Sequence, residues 1–349
     1  MEIIHIFNGK GLVHISSKMK YMKELYENSY CLIVDKRVEV VANKLSNVQF
    51  DYQVFESELS LLKYIINNKK NCKVVTHGNL FKFLFMHKLA FLLFKLKKIE
   101  LYWVCWGAGL NSQENRFKDF VFLIIKKIIY SGLNGINALI KPDRDKLLKI
   151  GVNSNNISLI PYSIELAESD FNTTISNKKS VVIGNQNSKH HNHESILELL
   201  HQREDNAEIE VHLFMSYGSS DANYIIQVKK LAELFFPSRA FIYKEVMSQE
   251  EYDTILYKSD AIVIDTKHQT GLAMIYKSVN NGKKVFLNSN GANKEWLNYM
   301  GIKSFPTNEL SVGDLTLDIK TSLINKEKLR LFFNEITIRK NWRKFLSIE

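Results

Sequence analysis

Val181-Val182-Ile183-Gly184-Asn185-Gln186-Asn187-Ser188 runs on through Lys189-His190-His191-Asn192-His193-Glu194 into Ser195-Ile196-Leu197-Glu198-Leu199-Leu200. Three β-branched residues in a row read as a short buried strand. A Gly followed by small polar residues reads as a turn. Ile196, Leu199 and Leu200 then fall at helical spacing. A strand that ends in such a turn before a helix presents free backbone N–H groups at a positive helix end. That corner suits a diphosphate as well as it suits a plain structural turn.

Outward from this corner, strand and helix patterns alternate. Before it, strands are expected at residues 2–7, 30–34, 72–76, 99–105, 135–140 and 157–160, and helices at 16–27 and 59–67. Lys141-Pro142-Asp143-Arg144-Asp145 opens a further helix, so its acids read as cap and first-turn residues rather than as a DxD metal motif. After the corner, strands are expected at 208–215, 240–243, 261–265 and 284–287. Helices are expected at 221–234, at 272–281 and at 327–345, and one opens at Ser248 with Glu251 completing a capping box. The polar run 165–179 reads as a linker. The expected organisation is an N-terminal Rossmann-like domain over 1–164, a linker over 165–179, a second Rossmann-like domain over 180–325 and a C-terminal helix over 326–349. Alternating elements imply parallel, doubly wound sheets. Polar turns at their strand ends place a ligand in a cleft that the two domains face.

Composition agrees with this class. Of 349 residues, 45% are hydrophobic, enough for two cores. Cys31, Cys72 and Cys105 are widely spaced in apolar runs and read as buried thiols of a cytoplasmic protein. Met1-Glu2-Ile3-Ile4-His5-Ile6-Phe7 lacks a basic leader and reads as a first strand. The net charge of +10 calls for an anionic partner. Lys82, Lys88, Lys95, Lys97, Lys98, Lys126 and Lys127 accompany the apolar runs 81–94 and 120–125. Neither run reaches the roughly 18 uncharged residues of a spanning helix. Basic, aromatic-rich segments of this kind suit an anionic bilayer surface. Nucleic acid is the weaker partner, because no recognised nucleic-acid module is present.

Two such domains in succession form the GT-B glycosyltransferase architecture, and four stretches make the likeness specific. Tyr102-Trp103-Val104-Cys105-Trp106-Gly107-Ala108 resembles a W-x-x-W-G-A motif. Val182-Ile183-Gly184-Asn185 with Ser188 and Asn192-His193 is similar to a V-G-N-S…N-x-H loop. Met215-Ser216-Tyr217-Gly218 with Tyr224-Ile225, and Leu287-Asn288 with Trp296, complete the set. Together they resemble glycosyltransferase family 56, the TDP-4-acetamido-4,6-dideoxygalactose:lipid II transferases of enterobacterial common antigen synthesis. His77-Gly78-Asn79 stands where that family has a His-Gly pair. The family carries Asp after W-G-A, and this chain has Gly109.

The resemblance implies transfer of a deoxyamino or related sugar from a nucleotide donor, TDP by family, to an undecaprenyl-diphosphate-linked oligosaccharide in bacterial surface polysaccharide synthesis. A GDP- or UDP-sugar is the alternative donor. A departing nucleoside diphosphate needs its charge held, and GT-B enzymes use protein donors for this, so no metal or other cofactor is expected. Gly184 is expected to let backbone approach the phosphates. Asn185 and Ser188 are expected to add side-chain donors, and Tyr217, Gly218, Gln269, Thr270 and Gly271 to complete the nest. Glu245 is placed to meet the nucleoside. His190, His191 and His193 lack a neighbouring Cys or carboxylate and read as loop residues rather than metal ligands. His77 and His14 are the candidate bases for the acceptor hydroxyl. Of the two tryptophans, one reads as core; Trp106, with Asn79, is the candidate sugar-binding residue.

The expected location is the cytoplasmic face of the inner membrane. Each basic residue near an anionic surface contributes about 1 kcal/mol to binding. Co-sedimentation with liposomes should therefore require anionic lipid and weaken at high salt. Equal binding to neutral vesicles, or none to either kind, would contradict the electrostatic reading.

Overall fold

Val181, Val182 and Ile183 are fully shielded from solvent in β8 (Lys179–Ile183). The strand pairs in parallel with β9 (Ile209–Phe214) on one side and β11 (Ala261–Ile264) on the other. Helices cover both faces of such a sheet, so its central strands read as unbroken apolar runs. The computed structural model describes residues 1–8, 12–45, 48, 50–78, 93–107, 110, 127–164, 166, 178–216, 218, 221–245 and 247–348.

The chain divides into two compact units, Met1–Ser163 with Glu335–Glu349, and Ile164–Asn334. The first holds a parallel sheet of seven strands, β1 (Ile3–Asn8), β2 (Ser29–Val34), β3 (Tyr52–Phe55), β4 (Lys73–His77), β5 (Glu100–Cys105), β6 (Gly135–Ala138) and β7 (Ile157–Leu159), in the order β3-β2-β1-β4-β5-β6-β7. Helices α1 (Leu12–Leu25), α2 (Val38–Lys44), α3 (Glu58–Asn68) and α4 (Lys141–Lys149) belong to it. Alternation along β1 sends Ile4 and Ile6 into one core, with Leu62, Trp103 and Tyr130. It sends Phe7 into a second core, with Met19, Cys31 and Ile33.

The second unit holds β8, β9, β10 (Ala240–Tyr243), β11, β12 (Lys284–Leu287) and β13 (Phe305–Pro306), ordered β10-β9-β8-β11-β12-β13. Its helices are α5 (His193–His201), α6 (Ala222–Phe235), α7 (Gln249–Lys258), α8 (Leu272–Asn280), α9 (Ala292–Tyr299) and α10 (Ile319–Phe332). Ser248 caps α7, accepting from the Glu251 amide at 3.1 Å while the Glu251 carboxylate accepts from the Ser248 amide at 3.0 Å, the expected capping box.

The single C-terminal helix expected over 326–349 is instead two, α10 and α11 (Glu335–Phe345). Their aromatic anchors differ. Phe333 packs on Tyr276 in the second unit. Trp342 stacks on Tyr162 at 5.6 Å and donates to the Pro161 carbonyl at 3.0 Å in the first. The helix therefore breaks at Phe333-Asn334, and α11 completes the N-terminal unit. The expected linker falls mostly outside the described residues, and β8 already begins at Lys179. The edge strands β3 and β13 were not anticipated; each is four residues or fewer and no more than half buried at most positions.

Trp342 is fully buried and makes both a ring contact and a hydrogen bond. Trp342→Ala should cost the N-terminal unit about 3–5 kcal/mol in urea unfolding. A loss below about 1 kcal/mol would mean that α11 is not part of that unit's core.

Candidate active site

In the second sheet the order reverses between β8 and β11. The chain leaves β8 toward β9 and returns on the other side to β11, so the loops after β8 and β11 part and leave room for a ligand at their carboxyl ends.

Gly184 ends β8 with φ +66°, and an added Cβ would lie 2.5 Å from Nε2 of His193. The His193 ring is fully buried, and its Nδ1 lies 2.9 Å from the Tyr224 hydroxyl. The Gly184 amide donates to the Val263 carbonyl at 2.8 Å. The glycine is therefore dictated by packing against His193, and its N–H is already used within the sheet. This corrects the expectation that Gly184 opens its backbone to phosphate.

The next residues meet at one corner. Asn185 is buried, and its Oδ1 accepts from the Thr270 hydroxyl at 3.2 Å. Gln186 Nε2 donates to the same hydroxyl at 3.1 Å. The Thr270 carbonyl accepts from Asn293 Nδ2 at 2.8 Å. Gly271 follows in the left-handed region, φ +64°, and caps α8. A Cβ there would strike Ile264 Cδ1 at 2.7 Å and crowd the Asn185 side chain at 3.3 Å. The first-turn amides of Leu272, Ala273 and Met274 have no acceptor within the helix. Leu272 is half-buried, Ala273 exposed and Met274 buried, so this positive helix end reaches the surface at Ala273, next in the chain to Thr270 and Gly271. Asn187 Oδ1, Gln269 Oε1 and Asn293 Oδ1 are buried nearby in sequence and lack hydrogen-bond partners among the described residues. Gly218 brings the loop after β9 onto this corner, since a Cβ on it would lie 2.8 Å from Asn187 Oδ1.

Two expected donor residues, Ser188 and Glu245, stand elsewhere. Ser188 Oγ accepts from the His190 amide at 3.4 Å and caps a short 3-10 turn, so it acts within its own loop. Glu245 is exposed beyond β10, with β9 between that strand and β8, and among the described residues no hydrogen bond ties it to the rest. Tyr217 lies outside the described residues.

Asp265 was not anticipated. It follows β11, and its two oxygens accept from Asn192 Nδ2 (2.9 Å), Asn288 Nδ2 (2.7 Å) and the Thr307 hydroxyl (2.9 Å). It thereby ties the loops after β8 and β12 and the turn after β13. The signal was a strand-end Asp mirrored by Asn288 at the end of β12. Burial keeps the imidazoles of His191 and His193 neutral, with pKa values lowered to about 4 and about 3. Among the described residues no group of three or more His, Cys, Asp or Glu is arranged to hold a metal.

In the first unit the order reverses between β1 and β4, and His77 ends β4. It is buried and stacked on Phe7 at 4.2 Å. Its Nδ1 lies 2.5 Å from the Tyr162 hydroxyl and its Nε2 lies 3.0 Å from His5 Nδ1. Trp106 Nε1 donates to the same tyrosine oxygen at 3.1 Å. With the tyrosine donating to Nδ1, His77 carries its proton on Nε2 and donates to His5. Either way both His77 nitrogens are engaged. Burial, with His5 and Lys18 adding to it, holds the ring neutral. His77 is thus an internal link rather than a base facing an acceptor.

Trp103 is the core tryptophan, stacked on Tyr130 at 5.0 Å and donating to the Gly78 carbonyl at 2.6 Å. Trp106 is half-buried, with Gly78 lying under its ring. The Lys18 amine sits 4.3 Å from the Trp106 ring centroid and 4.8 Å from that of Tyr162. Asp143 is a first-turn acid of α4 as expected, buried 3.6 Å from Lys146, and burial raises its carboxyl to about 6. The His14 side chain, Asn79 and Gly109 lie outside the described residues.

Residues 2–349 match the protein family described as 4-alpha-L-fucosyltransferase, glycosyl transferase group 56. Among solved structures, HepE of Anabaena in complex with UDP and glucose is similar with a TM-score of 0.75 at 11% identity, over 99% of each chain. Sucrose-phosphate synthase of Thermosynechococcus elongatus gives 0.69 at 12% identity over 100% of each chain. UDP-GlcNAc 2-epimerase of Neisseria meningitidis, bound to UDP-GlcNAc, gives 0.62 at 15% identity over 100% of each chain. At these identities the likeness establishes the fold, which is GT-B.

The buried histidines give the fold an acid-sensitive window. His5, His191 and His193 titrate near 6.5 when unfolded but only at about 3, about 4 and about 3 when folded, and His77 is also held well below 6.5. The unfolded chain then binds more protons below pH 6.5, so stability falls as pH falls, by up to about 1.4 kcal/mol per pH unit per histidine. Asp143, raised to about 6, opposes this as one group against four. The thermal midpoint should drop between about pH 6.5 and pH 4.5, before most carboxylates protonate. A flat midpoint over that window would contradict the neutral assignment.

Proposed function

The chain belongs to glycosyltransferase group 56 and is a glycosyltransferase, and from that premise we propose that it moves a deoxyamino or related 6-deoxy sugar from a TDP-linked donor to a lipid-linked oligosaccharide in surface polysaccharide synthesis. The family's description as fucosyltransferases supports a 6-deoxyhexose. The resemblance of the tryptophan and Gly-Asn motifs supports the TDP donor and the lipid-linked acceptor. The basic, apolar segments support peripheral attachment to an anionic inner membrane. Among the described residues no helix is long and apolar enough to cross one.

The observation that carries the donor side is the open N-terminus of α8 beside Asn185, Gln186 and Thr270. When the anomeric carbon–oxygen bond breaks, negative charge grows on the leaving diphosphate. First-turn amides aimed at that charge, in a site already held by side-chain hydrogen bonds, stabilise it without reorganising at the moment of reaction. Asn185 acts by fixing Thr270 and Gly271, so its role is to position the helix end. A UDP donor is the second reading, favoured by the UDP bound to the similar HepE fold.

Calorimetric titration with TDP, UDP and GDP separates these readings. TDP should bind most tightly; UDP binding ahead of TDP would replace the donor assignment. Thr270→Val removes the hydroxyl while keeping the shape. It should weaken nucleotide binding by about 1–3 kcal/mol, roughly 5- to 150-fold, with little change in fold. Unchanged affinity would move the diphosphate away from α8.

A further inference from the structure

Among the described residues both His77 nitrogens are engaged, and one nearby group can take a proton in its place. We propose that Lys18 takes the proton of the acceptor hydroxyl, its amine held in place by Trp106 and Tyr162. The inference rests on the glycosyl-transfer reading above.

Lys18 lies on α1, whose N-terminal end follows the carboxyl end of β1. Helical side chains lean toward the helix N-terminus, so its amine points toward the edge where the strands end. It meets there the two rings that follow β5 and β7, at 4.3 Å and 4.8 Å. The side chain is half-buried, which leaves an approach from solvent. No carboxylate among the described residues lies within ion-pair distance, although most of the chain's other buried lysines have an acid or a carbonyl as partner. Lys73, for example, is bonded to the Leu346 and Ser347 carbonyls. An amine taken out of water with no described carboxylate beside it gives up its proton more readily than an exposed lysine. Burial lowers its pKa to about 7, where it is both free to accept a proton and basic enough to keep it.

The groups packed around it support the same state. On β1 and β4, His5 and His77 are buried and neutral. Beyond β7, burial raises the Tyr162 hydroxyl far above its usual range, so it stays protonated. On β2, burial likewise keeps the Cys31 thiol protonated. From α11, Arg339 pairs with Glu24 and Glu335, and Arg343 donates to the Leu25 carbonyl, both toward the other end of α1. The aromatic frame is rigid for a separate reason: Tyr162 is clamped between Trp106 and His77 by hydrogen bonds and stacked on Trp342.

The step balances. The acceptor oxygen forms a bond to the anomeric carbon while the bond from that carbon to the phosphate oxygen breaks. The bonding pair leaves with the nucleoside diphosphate. The hydroxyl proton moves to Lys18 Nζ, which becomes an ammonium and later returns the proton to water.

The test compares Lys18→Met and Lys18→Arg with the parent, reading kcat, KM and their pH dependence. The parent's kcat/KM should rise through about pH 7, and both variants should lose that limb with kcat about 10²–10⁴-fold lower. Arginine keeps the charge but does not release its proton at working pH, so it restores an anion-binding or ring-stacking role but not a proton acceptor. Lys18→Arg with parental kcat and profile overturns the proposal. Lys18→Met removes an uncompensated amine, so its thermal midpoint should not fall; a midpoint that falls together with activity assigns Lys18 a structural role and overturns the proposal. A second readout needs no turnover. At pH 7.5 a limiting dose of acetic anhydride, followed by peptide mapping, should acetylate Lys18 ahead of ordinary lysines. Labelling no faster than the rest overturns the proposal, whereas fast labelling in a chain that transfers no sugar counts against the transfer reading instead.

Discussion

The hydroxyl of Thr270 holds the corner between β8 and β11 together. It donates to Asn185 and accepts from Gln186, so it joins the loop after β8 to the loop after β11 across the point where strand order reverses. A half-buried hydroxyl satisfied in both directions fixes its backbone, and its partner Asn185 is itself buried. Once Thr270 is fixed, Gly271 must turn through the left-handed region with Asn185 behind it, and α8 begins there. Asp265 does similar work one layer out, holding Asn192, Asn288 and Thr307 together. Asn185, Gln186, Thr270 and Gly271, which build this corner, are uncharged, so its positive end is the backbone dipole of α8.

The N-terminal unit solves a different problem at the equivalent position. Its strand ends gather His5, His77, Tyr162 and Trp106 into one hydrogen-bonded chain, and burial keeps every titratable member in its neutral form. Such a chain is costly unless fully paired, and only His5 Nε2 is left without a partner. Its consequence is a fixed aromatic surface, over which the Lys18 amine is held with no counter-ion among the described residues.

The GT-B architecture was legible because its central strands are unbroken apolar runs and its turns carry Gly, Asn and Ser; β8 and β11 appear within one or two residues of where pattern placed them. The edge strands β3 and β13 were not, because half-buried short strands have no such run. The break between α10 and α11 was missed because periodicity reports that a face is apolar, not which unit it packs on. At the site, Asn185, Gly218, Thr270 and Gly271 were named from sequence and meet at one corner. Gly184 was named for the wrong physical reason: a missing Cβ says that something is close, and here it is the His193 ring. Lys18 carried no signal at all, since a lysine among many on a helix reveals its lack of an acid only when its neighbours are placed.

The central claim is that the first turn of α8 receives the donor's diphosphate, and amide hydrogen exchange reads that turn directly. Adding a saturating nucleoside diphosphate should slow exchange at Leu272, Ala273 and Met274, whose amides have no acceptor within the helix. Slowed exchange at these three residues, with the first turn of α5 unchanged, is the result the account predicts. Unchanged exchange in α8 while another segment of the C-terminal unit becomes protected would contradict it.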